Sequence, residues 1–455
     1  MKPLIKDILA LPAASQEVVV RGWVRTKREL KNFTFVEVHD GSALTGIQCT
    51  FEHTLPELST GASVEIQGKL VPSPAAEQAV ELAAQSLRII GKADPASYPL
   101  QKKRHSFEFL REIAHLRART ATLGAVARVR SRLAFAVHEF FHQQGFQYIQ
   151  TPIITTSDAE GAGALFQVTT LDLEALARSA RAPDYQEDFF GKKSFLTVSG
   201  QLEAETYATA LTRVYTFGPT FRAEKSNTTR HLAEFWMIEP ELAFANLHDN
   251  MCLAENFLKF LLSTALCDCE ADLRFFDAHI EKGLLDSLKS VLDSRFTHLS
   301  YTDAINELEK ASPESFTCKP VWGCDLQSEH ERFLTEKVVR GPIILTDYPK
   351  EIKAFYMKLN ADGETVRAMD VLVPRLGEII GGSQREDNLR TLESRMQELG
   401  INPQAYNWYL DLRRYGSVPH AGFGLGFERL VQYVTGMTNI RDVIPYPRAV
   451  GQAEF

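Results

Sequence analysis

The sequence predicts an α+β protein: a small β-barrel first, then a longer region of helices and antiparallel strand pairs. Three observations predict it. Residues 18–90 read as five short strands, with turn signals at Asp40-Gly41 and Ser59-Thr60-Gly61. Residues 214–217 and 235–238 are β-branched and aromatic, and the polar run 225–229 between them reads as the loop of a hairpin. Residues 122–144 repeat apolar side chains at helical spacing (Val126, Val129, Leu133, Ala136, Val137, Phe140, Phe141), and Gly145 suits the position just past a helix end.

The totals set the frame. A chain of 455 residues holds two or three domains, and 44% hydrophobic with 24% charged residues is ordinary globular composition. No apolar run approaches the ~18–20 residues that span a bilayer. The first fifteen residues are amphipathic, but Asp7 interrupts their apolar part and no leader core follows, so a cytoplasmic address without membrane attachment is expected. The six cysteines have no framework spacing and read as buried, reduced thiols. A net charge of −8 restricts any nucleic-acid contact to local basic patches.

In order, strands are expected at 18–26, 33–39, 46–51, 63–69 and 80–88, the length of a barrel of the OB type. Arg21, Arg25, Lys27, Arg28 and Lys31 crowd the first strand and its loop, with Glu29 the lone acid. Phe33 and Phe35 follow; an aromatic beside a basic groove is how such barrels hold single-stranded nucleic acid. Phe33 reads as core. The Pro- and Ala-rich stretch near 93–106, with Lys102-Lys103-Arg104, reads as a linker suited to a nucleic-acid backbone, or equally as a solvated hinge. Arg128, Arg130 and Arg132 read as a solvated helix face. Residues 146–154 read as an edge strand, because Pro152 interrupts it.

In the hairpin, period 2 puts Thr220, Arg222 and Glu224 on one face. Arg offers a planar fork for phosphate oxygens, Glu224 can accept from an exocyclic amine, and Phe235 offers a stacking surface. Upstream of the hairpin, Glu160 sits in a loop of small residues and could neutralise an ammonium. Asp370 and Glu378 lie on two apolar strands around 374–377. Buried there, they would need a cation, and hard oxygen ligands suit Mg²⁺; an Arg partner for each acid is the alternative. Residues 250–345 carry helical patterns without an evident catalytic constellation. Residues 420–435 turn from a Gly-rich strand into a helix whose first turn holds Arg429, beside backbone N–H groups that favour anions.

The stretch 221–244, FRAEKSNTTRHLAEFWMIEPELAF, resembles motif 2 of the class II aminoacyl-tRNA synthetases in its asparaginyl form. The 122–154 helix and strand are similar to motif 1, the subunit boundary of that class, and HAGFGLGFERL at 420–430 is similar to motif 3. Residues 22–42, GWVRTKRELKNFTFVEVHDGS, look like the anticodon-binding barrel of the aspartyl, asparaginyl and lysyl group. The resemblance runs from about residue 18 to 448 and is to the bacterial-type asparaginyl family.

That resemblance implies an antiparallel catalytic sheet flanked by helices, a homodimer, and the organisation 1–95 anticodon-binding barrel, 96–120 linker, 121–455 catalytic domain with a helical insertion at about 250–345. It implies ATP and Mg²⁺ as cofactors, with L-asparagine and tRNA(Asn) as partners. Arg222 would hold the α-phosphate, Arg429 and His231 the γ-phosphate, and Arg230 would also contact ATP. Glu224 and Phe235 would fix adenine, and Asp370 with Glu378 would hold Mg²⁺. Glu160 would meet the α-amino group; Gln201 and Arg385 would contact the amino acid. Arg28, Phe35 and Gln48 would meet the anticodon. The aspartyl pattern carries a Lys where this chain has Ala204, which removes the reason to prefer Asp. An acceptor for the asparagine NH₂ is expected at Glu234 or Glu205. The rivals are an aspartyl enzyme of relaxed specificity, an asparagine synthetase on the same catalytic fold, which should lack the barrel, and an RNA-binding paralogue, which should have lost some of these residues.

Overall fold

A computed structural model describes residues 2–13, 16–74, 78–157, 165–179, 181–226 and 228–455. The chain divides into two compact units, Met1–Val129 with Phe455, and Arg130–Glu454.

In the first unit, strands Glu17–Glu29, Thr34–His39, Ile47–Phe51, Ser63–Pro72 and Val80–Gly91 close into a barrel. Alternation does the work: Val36 and Val38 point inward with Ile47, Cys49, Phe51, Val64 and Ile66, while Phe35 and Glu37 point out. Phe33 departs from expectation. It precedes the strand, misses its alternation and is 46% exposed, so it is not core. The expected linker is not structureless, since it contains the short helices Phe107–Glu112 and Ala114–Arg117, the first capped by the Ser106 side chain. Of the cysteines only Cys49 and Cys269 are buried; Cys252, Cys267, Cys318 and Cys324 are exposed and all six are free.

The second unit is built on an eight-stranded sheet, in the order Thr297–Ser300, Ile343–Pro349, Thr365–Val373, Gly377–Gln384, His420–Gly426, Glu234–Ala243, Arg213–Phe221, Gln147–Tyr148. Its two outermost pairs are parallel and the rest antiparallel. The expected strand at 146–154 is split. Gln147–Tyr148 ends this sheet, whereas Ile154–Thr155 joins a separate three-stranded one. Helix Ala121–Gln143 ends as expected before Gly145, which turns at φ +76°, and Phe141 then stacks on Tyr215 at 4.5 Å. Helix Leu247–Asp268 is capped by Asn246 and buries Met251, Ala254, Phe257, Leu258, Leu261, Leu262 and Ala265, an i, i+3, i+4, i+7 stripe against the sheet. Residues 250–345 are mostly helical, but Thr297–Ser300 among them extends the sheet edge. Among the described residues no helix is long and apolar enough to cross a membrane.

Candidate active site

The antiparallel ladder from Arg213↔Leu242 to Phe221↔Glu234 makes the expected hairpin. Regular pairing stops at Phe221, beyond which the Arg222 N–H still donates to Ala233 O, 3.0 Å. Arg222 and Glu224 line a cavity with Phe235, Arg230, His231, Glu378 and Arg429. The Arg222 guanidinium lies 5.5 Å from the Phe235 ring centre. Thr220, expected on the same face, lines a different cavity with Tyr148 and Trp236, because strand alternation does not continue past Phe221.

A second cavity adjoins the first through Arg222, Met237, Glu378 and Gly424, and holds Gln201, Glu239, Glu241, Asp370 and Arg385. Arg385 grips Glu241 with Nη2 on Oε1 and Nε on Oε2, the latter at 3.2 Å, and both residues are buried. Burial pushes the Glu241 carboxyl up to about 8; Arg385 opposes this, while Glu205 and Glu239 add to it. Glu239 is held by the Gly200 N–H at 2.9 Å, the Thr216 hydroxyl at 3.2 Å and the Ser199 hydroxyl. Gln201 donates to Glu205 Oε1, 3.0 Å.

Neither acid expected to read an amide is available here. Period 2 along Glu234–Ala243 puts Phe235, Met237, Glu239 and Glu241 toward the cavities, and Glu234 lines neither. Glu205 is fully buried and already accepts from Gln201, Tyr409, Arg413 and His420. Burial opposes its ionisation, but Arg413, His420 and Arg385 more than reverse that, so its pKa falls. Glu241 was missed, although its parity with Phe235 could have found it. Ala204 packs in the core against Ala208 and Val214.

Asp370 and Glu378, expected on two neighbouring apolar strands, converge. A Cβ on Gly381 would stand 3.3 Å from Asp370 Oδ1 and 3.1 Å from Glu378 Oε1, so the absent side chain leaves a cradle between the two carboxylates. Each acid has a cation. Lys353 Nζ donates to Asp370 at 2.9 Å and Arg429 Nη1 to Glu378 at 3.2 Å. Among the described residues no group of three or more His, Cys, Asp or Glu side chains is arranged to hold a metal. Two carboxylate donors with room between them nonetheless fit a hard cation that takes its remaining ligands from phosphate and water.

Three further residues have roles the sequence hid. Glu331, on helix Ser328–Phe333, accepts the Glu378 N–H at 3.1 Å; burial, then Glu378, push its carboxyl up to about 7. Ser328 on the same helix accepts from Arg230 at 2.8 Å. Arg130, expected in solvent, lies over the Phe427 ring and pairs with Glu428 at 2.6 Å, whose other oxygen accepts the Trp236 N–H at 2.9 Å. The side chains of Ser226 and Thr228 hydrogen-bond to His231 Nδ1. Glu160 lies outside the described residues.

On the barrel, register sets Arg28 opposite Phe35, Phe35 opposite Thr50, and Glu37 opposite Gln48, so Arg28, Phe35 and Gln48 share one outward face. Gln48 Nε2 donates to Glu81 at 2.9 Å.

Residues 106–450 match the family model of tRNA synthetases class II (D, K and N), and residues 18–90 match that of OB-fold nucleic acid binding domains. Curated relatives include the asparagine–tRNA ligases of Treponema denticola, 62% identical over 99% of both chains, and of Synechocystis, 57% identical over the whole of both. Among solved structures, Pyrococcus horikoshii asparaginyl-tRNA synthetase complexed with asparaginyl-adenylate superposes with a TM-score of 0.87 at 32% identity over the full length of both. The barrel and the largely antiparallel sheet are those of a class II tRNA synthetase. Within that class the chain belongs to the asparagine–tRNA ligases.

Proposed function

We propose that the two adjoining cavities hold ATP and L-asparagine, and that Arg222, which lines both, sits where they react. That shared arginine is the observation carrying the reading. An oxygen of the asparagine α-carboxylate attacks the α-phosphorus, and the bond to the pyrophosphate leaving group breaks. The 3′-hydroxyl of the tRNA's terminal ribose then attacks the acyl carbon and AMP departs. No side chain forms a covalent bond, so positioning and charge stabilisation carry the rate.

Arg222 stabilises charge developing on the α-phosphate, and Arg429, with His231 and Arg230, holds the outer phosphates. Glu224 accepts from the adenine amine and Phe235 supports the ring. Asp370 and Glu378 hold Mg²⁺, which when bound neutralises phosphate charge. Gln201 and Arg385 bind the amino acid, and Glu160 is assigned to its ammonium group. Arg385 donates to the side-chain carbonyl oxygen and Glu241, in place of Glu234 or Glu205, accepts from the NH₂. An aspartate in that site would set a carboxylate against Glu241, a mismatch of the kind worth roughly 10⁴–10⁵ in discrimination.

The barrel face of Arg28, Phe35 and Gln48 takes the tRNA(Asn) anticodon, Phe35 by stacking. Tyr148 at the end of the sheet, with Ile153 and Ile154 in the segment that follows, each at least 38% exposed, support a homodimer through this segment, and a cytoplasmic address fits this role. The test is amino-acid-dependent ATP–pyrophosphate exchange with Mg²⁺ and no tRNA, comparing Asn, Asp and Lys. Exchange with Asn alone is expected; equal exchange with Asp would overturn the assignment of Glu241.

A further inference from the structure

The Asp370 and Glu378 carboxylates come together because of a break in the sheet. Strand Thr365–Val373 pairs with Gly377–Gln384 as Asp370↔Gly381 and Val371↔Ile380, after which the register slips and Leu372 faces Glu378. An unbroken ladder would set Ile379 there. Asp370 and Leu372 share a face, so the extra residue is what turns Glu378 toward Asp370. A bulge also frees backbone groups from the ladder. The N–H of Glu378 donates instead to Glu331 Oε2, 3.1 Å away.

Glu331 and this turn are fitted to one another. Gly377 has φ +87°, and a Cβ there would come within 2.2 Å of Glu331 Oε2, so the carboxylate occupies the space a side chain would need. Two residues earlier in the hairpin, Arg375 N–H donates to Glu336 Oε1 at 3.0 Å. The segment of Glu331 and Glu336 therefore clasps the turn at two backbone positions, while Ser328 on its helix meets Arg230 of the nucleotide cavity.

We propose that Glu331 is a positioning residue for the metal carboxylate: by accepting the Glu378 N–H it fixes the bulge that aims Glu378 beside Asp370. The role rests on the assignment of Asp370 and Glu378 to Mg²⁺. Reach, rather than charge, is what it requires. Glu331→Gln keeps the length and an acceptor oxygen but loses the charge, whereas Glu331→Asp keeps the charge and cannot reach the amide.

The experiment is Mn²⁺ binding to the full-length enzyme with ATP, followed by electron paramagnetic resonance, with the KM for Asn measured in parallel by pyrophosphate exchange. Glu331→Asp is expected to weaken Mn²⁺ about tenfold, as losses of groups that orient metal ligands do, with Glu331→Gln within about twofold of the parent and the KM for Asn unchanged in both. Wild-type affinity in Glu331→Asp, or a loss in Glu331→Gln as large as in Glu331→Asp, overturns the proposal while leaving the metal assignment standing. Absence of bound Mn²⁺ in the parent ATP complex overturns both.

Discussion

Arg385 and Glu241 face one another as a buried fork, guanidinium to carboxylate, in the lining of the cavity proposed for asparagine. One partner can only donate and the other, when ionised, can only accept. Those are the complements of the two ends of a carboxamide. Changing Glu241 to Gln leaves volume and packing nearly constant but replaces the acceptor by a group that can donate. Expected is a rise of about 10–100-fold in the KM for Asn, the worth of one charged hydrogen bond, with the KM for ATP unchanged in pyrophosphate exchange.

The same carboxylate gives a pH dependence. Burial raises its pKa from 4.5 to about 8 against the opposing charge of Arg385, so protonation at lower pH competes with its acceptance of the asparagine NH₂. Affinity for Asn, measured by calorimetry, should strengthen as pH rises from 6 through 8, and Glu241→Gln should flatten the profile. Stability runs the other way. A carboxyl raised on folding contributes stability fully below its unfolded value and loses it as pH rises through its folded value, so this contribution fades between about 4.5 and 8.

In the barrel the sign reverses. Burial, then the charges of Arg25 and Arg119, lower His39 from 6.5 to about 4. The unfolded chain binds the additional proton between those values, so the His39 contribution is present above 6.5 and lost as pH falls through 4. Thermal melts of wild type and His39→Gln should converge in pH dependence across that window if His39 is not its source; divergence is expected.

Arg222 should matter to the transition state more than to binding. Arg222→Ala is expected to lower kcat for pyrophosphate exchange by about 10²–10³-fold, the usual loss on removing a donor to developing charge. Single-turnover adenylate formation would report it. A change confined to the KM for ATP would mean the side chain holds ground-state phosphate only.

Phe35 separates the two units functionally. Its outward ring is expected to contribute about 1–3 kcal/mol of base stacking. Phe35→Ala should therefore lower kcat/KM for tRNA charging by roughly 5–150-fold while leaving pyrophosphate exchange as in wild type.

Much of this was legible in the sequence. Alternation at 34–38 gave the barrel strand and sent Phe35 outward, and helical spacing with Gly145 bounded Ala121–Gln143. Composition and motif wording brought Arg222, Glu224, Phe235 and Arg429 to one cavity because each is fixed by local geometry, a strand end or a helix start. Errors arose where a residue's partner is distant in sequence. Arg130 looked solvated because Glu428 is 298 residues away, and nothing marked Glu331 within its helical region because Glu378 is 47 residues away.

What the sequence alone determined was the identity and order of the elements, and with them the class of chemistry, since these depend on short-range periodicity and a few side-chain types. Only the tertiary structure decided which acids line the cavity. Glu234, Glu205 and Glu241 are equivalent as letters; strand parity turns the first away, Arg413, Tyr409 and His420 occupy the second, and Arg385 presents the third. Likewise a single slip in register, invisible in the string, sets Glu378 beside Asp370. A carboxylate's role follows from what surrounds it, and burial and pairing are properties of the folded chain.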